Sequence, residues 1–134
     1  FHQGGGTIFA HVGDHRYVVA VTHNAKGNSR LNTTNAQRRA FDEWPQWENC
    51  DVICCGHLHY NDQHTQTRKS GRCAYLRSGT AKTTDAYAAD HGFKPEYGIP
   101  LAILYPNEHR VIPFRGDDLD HALRFLAMER VAPT

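Results

Sequence analysis

The sequence predicts an α/β fold with mixed sheets flanked by helices. Two short segments, 17–21 and 51–55, are apolar at nearly every position, and a segment with helical spacing of apolar residues lies between them. Continuous apolar runs are typical of strands that are buried on both faces. A strand, a helix and a second strand in that order indicate two parallel strands in one sheet.

The chain opens with a predicted hairpin. Thr7 to Val12 and Arg16 to His23 are β-branched and apolar stretches joined by Gly13-Asp14. Glycine in the first position of a two-residue turn favours the backbone that tight hairpins need. We therefore expect Gly13-Asp14-His15 to form a turn and not a metal-ligand segment.

A helix is predicted between the two buried strands. Thr34 or Asn35 is its expected cap, and it ends near Trp44 because Pro45 cannot continue it. Its apolar side contains Ala36, Ala40, Phe41 and Trp44. The second buried strand, from Asp51 to Cys55, follows and stops at Gly56.

The rest of the chain predicts antiparallel pairs and a final helix. Strands are expected at 63–69 and 73–77 around Ser70-Gly71, and at 99–105 and 110–114 around 106–108. A long loop, 79–97, connects the two pairs. Asp117 or Asp118 is the expected cap of the last helix, whose apolar side contains Leu119, Leu123 and Leu126.

Composition restricts the class of protein. The 134 residues are 40% hydrophobic and 22% charged, which indicates one globular unit. A net charge of +1 neither favours nor excludes nucleic acid. No apolar run is long enough to span a membrane, and the four cysteines have no disulfide-framework spacing. We expect a reduced, cytoplasmic protein whose cysteines are small buried hydrophobes.

Three histidines stand where the buried strands end. His57 and His59 flank Leu58 directly after one strand, where Gly56 is expected to let the backbone turn sharply, and His23 ends the other strand. Ligands of open α/β sheets collect outside the carboxyl ends of the strands. A lone histidine would be an ordinary polar loop residue, but three at strand ends predict part of a site for manganese, zinc, iron or nickel.

These residues resemble a known family. Gly56-His57-Leu58-His59 after an apolar strand is similar to the glycine-histidine-x-histidine signature of the calcineurin-like metallophosphoesterases. Val21-Thr22-His23 resembles that family's preceding strand-end histidine, and Ser78-Gly79-Thr80 resembles its next segment. The resemblance extends from about Thr7 to Phe114. It implies an α/β sandwich and a site for two divalent metal ions, with His23 and His57 on one metal and His59 on the other.

The resemblance also implies what surrounds the chain. The family's amino-terminal aspartate, asparagine and histidine motifs have no convincing match, so residues 1–134 are expected to be the carboxy-terminal portion of one metallophosphoesterase domain. The complete enzyme would hydrolyse phosphomonoesters or phosphodiesters, with nucleic acid and nucleotides among the candidate substrates. This portion is expected to be inactive without its amino-terminal half. It is also expected to leave an apolar sheet face exposed, and the residues expected to line one face or the other of that sheet are Val18, Val19, Val21, Ile53 and Cys54.

Two residues are candidate substrate ligands. Asn24 and Arg30 lie in the loop after His23, and arginine matches the geometry of phosphate. A solvated loop is the simpler interpretation of these residues.

Two other functional classes stay open. One is a non-catalytic metal-binding or interaction domain with a structural or vestigial site. The other is a zinc module that uses Cys50, Cys54 or Cys55, which is disfavoured because adjacent residues on a strand point to opposite faces.

Overall fold

The computed structural model describes residues 5–23, 31–68, 71–81, 86–90, 92 and 96–129 and shows a mixed α/β fold. Seven strands, three α-helices and a 3-10 turn at Pro45–Trp47 occur within these ranges. The strands are β1 (Gly6–Val12), β2 (His15–Thr22), β3 (Val52–Cys55), β4 (Asp62–Arg68), β5 (Gly71–Arg77), β6 (Leu101–Leu104) and β7 (Val111–Phe114). The helices are α1 (Asn35–Glu43), α2 (Ala86–Asp90) and α3 (Leu119–Glu129).

The larger sheet has a parallel centre and antiparallel edges. Its strand order is β1-β2-β3-β5-β4, with β2, β3 and β5 parallel to one another. β1 and β4 run antiparallel to their neighbours at the two edges. The parallel pairing of β2 with β3 across α1 confirms the central prediction from the sequence.

Helix α1 covers one face of this sheet. Ala40 and Phe41 of the helix pack against Ile53 and Tyr75 of the central strands. The full buried cluster on this face is Ala20, Ala40, Phe41, Trp47, Cys50, Ile53, Cys73 and Tyr75. Burial of each larger side chain stabilises the fold by about 1.5–3 kcal/mol, so this cluster anchors the crossover helix.

The β6–β7 pair covers the opposite face. Val52, Ala74 and Leu76 form a buried cluster there. The partly buried residues packed against it are Val19, Cys54, Ala102, Leu104 and Val111. Cys54 packs against this cluster, whereas Cys55 packs with Ala36 of α1 on the other face, so Cys54 and Cys55 face opposite sides, as the sequence predicts.

This arrangement corrects the expectation of an exposed apolar sheet face. Ile53 is fully buried against α1, and Val18 packs against the same cluster. Val19 and Cys54 lie under the β6–β7 pair. Four of the five residues are therefore covered by elements of this chain, and Val21 is half-buried.

One buried hydroxyl fastens the β6–β7 pair to the larger sheet. Tyr17 of β2 is fully buried, and its Oη lies 2.6 Å from the carbonyl oxygen of Tyr105 and 2.8 Å from that of Glu108. The same oxygen accepts a hydrogen bond from the backbone N–H of Arg110 at 3.1 Å. The turn between β6 and β7 is thus bonded to β2 by a single side chain.

Most predicted elements are present. Val12 pairs with His15, so the hairpin turn is Gly13-Asp14 and His15 is the first residue of β2. Helix α1 has Thr34 as its N-cap, and Pro45 follows its last turn. The predicted loop 79–97 differs, because it contains the short helix α2.

The final helix buries a different side from the one predicted. Leu119, Leu123 and Leu126 are 50%, 54% and 39% exposed. Ala122 is buried instead, and the Phe125 ring packs on Phe114 at a centroid distance of 5.8 Å. Helical spacing identified an apolar stripe, but the contact with β7 is made by an adjacent side of the helix.

None of the helices within the described ranges is long and apolar enough to cross a bilayer.

Candidate metal centre

The parallel strands bring their carboxyl ends to one edge of the sheet. Thr22 of β2 pairs with Cys55 of β3, which pairs with Arg77 of β5. Beyond this row, Gly56 N–H donates to the Thr22 carbonyl at 3.1 Å and Ser78 N–H donates to the Cys55 carbonyl at 3.0 Å. The residues that follow the three strands are therefore held side by side.

His23 and His57 meet at this edge. Nε2 of His23 lies 3.3 Å from Nδ1 of His57, and the ring centroids are 5.2 Å apart with an interplanar angle of 78°. Both side chains are exposed. The sequence placed both residues at neighbouring strand ends, and the structure brings their ring nitrogens to within hydrogen-bond distance.

The separation of these nitrogens suits a shared metal ion. Two ligand nitrogens at tetrahedral positions, 2.0–2.1 Å from zinc, lie about 3.3–3.4 Å from each other. Without a metal, one facing nitrogen must carry the proton and the other must accept it. With a metal, both facing nitrogens must be unprotonated, which assigns the protons to Nδ1 of His23 and Nε2 of His57.

Two imidazoles do not make a complete site. Among the residues that the structure describes, no group of three or more His, Cys, Asp or Glu side chains could hold a metal ion. His59 is exposed, and it does not join His23 and His57 in such a group. The separation of the donors seen here suits one metal ion held by a pair.

The backbone that presents these histidines is strained. His57 and His59 have φ angles of 75° and 56°, a left-handed conformation that is uncommon for residues other than glycine. Leu58 N–H donates to the Gly56 carbonyl at 3.1 Å, which closes a three-residue γ-turn with His57 at its centre. A γ-turn whose central residue has positive φ is rare.

This geometry corrects the expected role of Gly56. Gly56 is not among the residues with positive φ, so the sharp departure from the sheet is made by the histidines themselves. A Cβ atom at Gly56 would lie 3.7 Å from Nδ1 of His23, an ordinary contact. Strain of this kind persists where surrounding bonds fix the conformation, and it is concentrated at functional sites.

A buried arginine lies directly beneath the γ-turn. Arg77 is fully buried, and its NH1 group donates to the Gly56 carbonyl at 2.8 Å. Nε donates to the Thr33 carbonyl at 2.5 Å and NH2 to Oε1 of Gln37 at 3.2 Å. Gln37 is itself fully buried and donates from Nε2 to the Leu76 carbonyl at 3.0 Å. This network joins α1, β5 and the histidine turn.

Asn61 fixes the other end of the histidine segment. Its side chain accepts from Gly79 N–H at 2.9 Å and donates to the Tyr97 carbonyl at 2.6 Å. Glu96 N–H donates to the His59 carbonyl at 2.9 Å, and the Glu96 carboxylate accepts from Asn61 N–H at 2.8 Å. A Cβ at Gly79 would lie 2.6 Å from Oδ1 of Asn61, so glycine is required for this close approach.

The four cysteines are free, and three of them, Cys50, Cys55 and Cys73, are buried. Burial, followed by the charge of Asp51, raises the pKa of Cys50 to about 11. Burial, followed by Cys55, raises the pKa of Cys54 to about 11, although Arg77 acts in the opposite direction.

Several supporting residues were missed from the sequence. Arg77, Gln37 and Asn61 are polar residues that look like surface positions in a linear sequence. A charged residue at the end of the otherwise buried strand β5 was the available indication of Arg77. The predicted substrate ligands Asn24 and Arg30 lie outside the described residues.

Comparisons with known proteins add a limited structural likeness. No protein-family model matches the chain, and no curated protein matches it. The chain is similar to the solved structure of Vacuolar Protein Sorting 29 from Cryptosporidium parvum, with 15% sequence identity and a TM-score of 0.35. The match covers 81% of this chain and 55% of that one, so this chain spans about half its length.

Proposed function

We propose that this chain contributes to a metal-dependent phosphoester hydrolase, with His23 and His57 as ligands of one metal ion. The observation that carries the proposal is the 3.3 Å separation between Nε2 of His23 and Nδ1 of His57 at the carboxyl ends of two parallel strands. The Gly56-His57-Leu58-His59 pattern supports the phosphoesterase assignment through its family resemblance. His59 is proposed as a ligand of a second metal.

The chemistry follows from two adjacent divalent ions. Such a pair lowers the pKa of a bound water and stabilises the charge that develops on phosphoryl oxygens. The residues of this chain would hold and orient the ions, because neutral imidazoles donate lone pairs without neutralising the metal charge. Carboxylates from outside the described ranges would supply the balancing negative charge and a bridging ligand.

Direct metal binding tests the proposal. Titration of the chain with ZnCl2 by calorimetry should give weak binding that His23→Ala and His57→Ala each reduce roughly 10-fold or more, since loss of a supporting residue alone often reduces metal affinity 10- to 100-fold. His64→Ala is a suitable control, because His64 is an exposed histidine on β4. Unchanged affinity in both site variants would contradict the assignment.

Catalysis by the chain alone should be close to background. Hydrolysis of bis(p-nitrophenyl) phosphate with manganese or zinc requires the carboxylates that a two-imidazole site lacks. Robust turnover by this chain that is abolished in His57→Ala would contradict this expectation. It would show that the chain contains most of the active site.

A non-catalytic metal site is the second candidate. It is favoured by the absence of a three-ligand group from the described residues. Zinc binding that depends on His23 and His57, together with no hydrolysis when the carboxylate-bearing segments of a longer chain are present, would support it over the hydrolase.

A further inference from the structure

We infer that Arg77 is a positioning residue for the candidate metal centre: through the Gly56 carbonyl it holds the strained turn that presents His57 to His23. The effect of Arg77 on metal binding rests on the proposed function. Its effect on the position of His57 rests on geometry alone.

Two donors share the Gly56 carbonyl oxygen as their acceptor. The Gly56 carbonyl oxygen accepts from Leu58 N–H, which closes the γ-turn, and from NH1 of Arg77 at 2.8 Å. A carbonyl oxygen has two lone pairs, so it can accept both bonds together. Arg77 thus fixes the orientation of the peptide group on which the turn closes.

The side chain of Arg77 is held rigidly. Its planar guanidinium also donates to the Thr33 carbonyl and to Gln37, on the segment that leads into α1 and on α1 itself. Bonds in three directions prevent the buried side chain from rotating away from Gly56. Helix α1 is therefore connected to the turn through one side chain.

The backbone at His57 is strained. A residue with φ of 75° relaxes to negative φ unless its surroundings prevent it. Such a relaxation would reorient the His57 ring and end its close approach to His23. The bond from Arg77 opposes this change, because it holds the carbonyl that precedes His57.

A metal-free measurement tests the positioning role directly. The nuclear Overhauser effect between the His23 and His57 rings should be clear in the unaltered chain and fall at least several-fold in Arg77→Met. Ile53→Val is the matched control, since it trims another fully buried residue in the strand before the turn. It should lower stability while leaving the ring contact unchanged.

Metal binding gives the second readout. Arg77→Met should bind ZnCl2 at least about 10-fold more weakly than the unaltered chain, and Ile53→Val should bind within about twofold. If Arg77→Met does not fold, Arg77→Lys retains one cation but not the planar fork and should show an intermediate loss of both signals.

The outcomes separate the inference from the proposed function. A ring contact that disappears in Arg77→Met while the unaltered chain binds no zinc would support the positioning role and overturn the metal centre. An Arg77 variant that folds with an unchanged ring contact and zinc affinity would overturn the positioning role and leave the metal centre intact.

Discussion

At the scale of single residues, the candidate site depends on polar groups that are buried or strained. His57 and His59 adopt left-handed backbone conformations, and Arg77 lies fully buried beneath them. Burial of a guanidinium is unfavourable unless its donors are satisfied. The guanidinium of Arg77 donates to the Gly56 and Thr33 carbonyls and to the Gln37 side chain. These bonds satisfy the buried donors and hold the turn in place.

The thiols give a pH prediction at the same scale. The pKa of Cys54 is raised from 9.0 to about 11, so between these values the unfolded chain loses the thiol proton and the folded chain keeps it. The unfolded state then binds fewer protons, and the free energy of unfolding falls as pH rises from about 9 to 11. Urea denaturation at pH 8.5 and 10.5 should show a smaller decrease for Cys54→Ala than for the unaltered chain.

Equal pH dependence in the two proteins would contradict the raised pKa of the partly buried Cys54 thiol. A Cys50→Ala variant should behave like Cys54→Ala, because the pKa of Cys50 is raised to about 11 by burial and by Asp51.

At the scale of elements, the β6–β7 pair is attached to the larger sheet by both apolar and polar contacts. Its turn residues are bonded to the larger sheet through the hydroxyl of Tyr17. Tyr17→Phe should lower the free energy of unfolding by about 1–3 kcal/mol, because the backbone groups of the β6–β7 turn lose the hydroxyl as a hydrogen-bond partner. Hydrogen exchange should also accelerate selectively in Leu101–Leu104 and Val111–Phe114.

Tyr75→Phe is the matched control for that experiment. It removes a hydroxyl that donates to Gln66 across β4 and β5, so stability should fall without selective exchange in the β6–β7 pair. Unaltered exchange in this pair in Tyr17→Phe would show that the Tyr17 hydroxyl does not hold it.

The elements also show what the sequence could and could not predict. The hairpin around Gly13-Asp14 and the parallel pair β2 and β3 follow from turn chemistry and continuous apolar runs, and both predictions were confirmed. The prediction of which side of α3 is buried was wrong, because periodicity identifies an apolar stripe and not the surface that contacts it. Gln37 and Arg77 were missed, because a buried polar residue is recognisable only once its partners are known.

At the scale of the whole molecule, the larger sheet is covered on both faces by elements of the same chain. Helix α1 covers one face and the β6–β7 pair covers the other. Exposed apolar residues lie elsewhere, and those on β1 and α3 include Ile8, Phe9 and Leu123. The carboxyl edge of the sheet, where His23 and His57 lie, is therefore supported by an interior that is covered on both faces.

The central claim is that His23 and His57 share one metal ion, and nitrogen NMR of the imidazole rings tests it most directly. During titration of the ¹⁵N-labelled chain with ZnCl2, Nε2 of His23 and Nδ1 of His57 should shift together along one binding curve. His64 and His121, which lie on β4 and α3, should not shift with them. Shifts of His57 without His23, or of the two rings along separate binding curves, would contradict a shared metal ion.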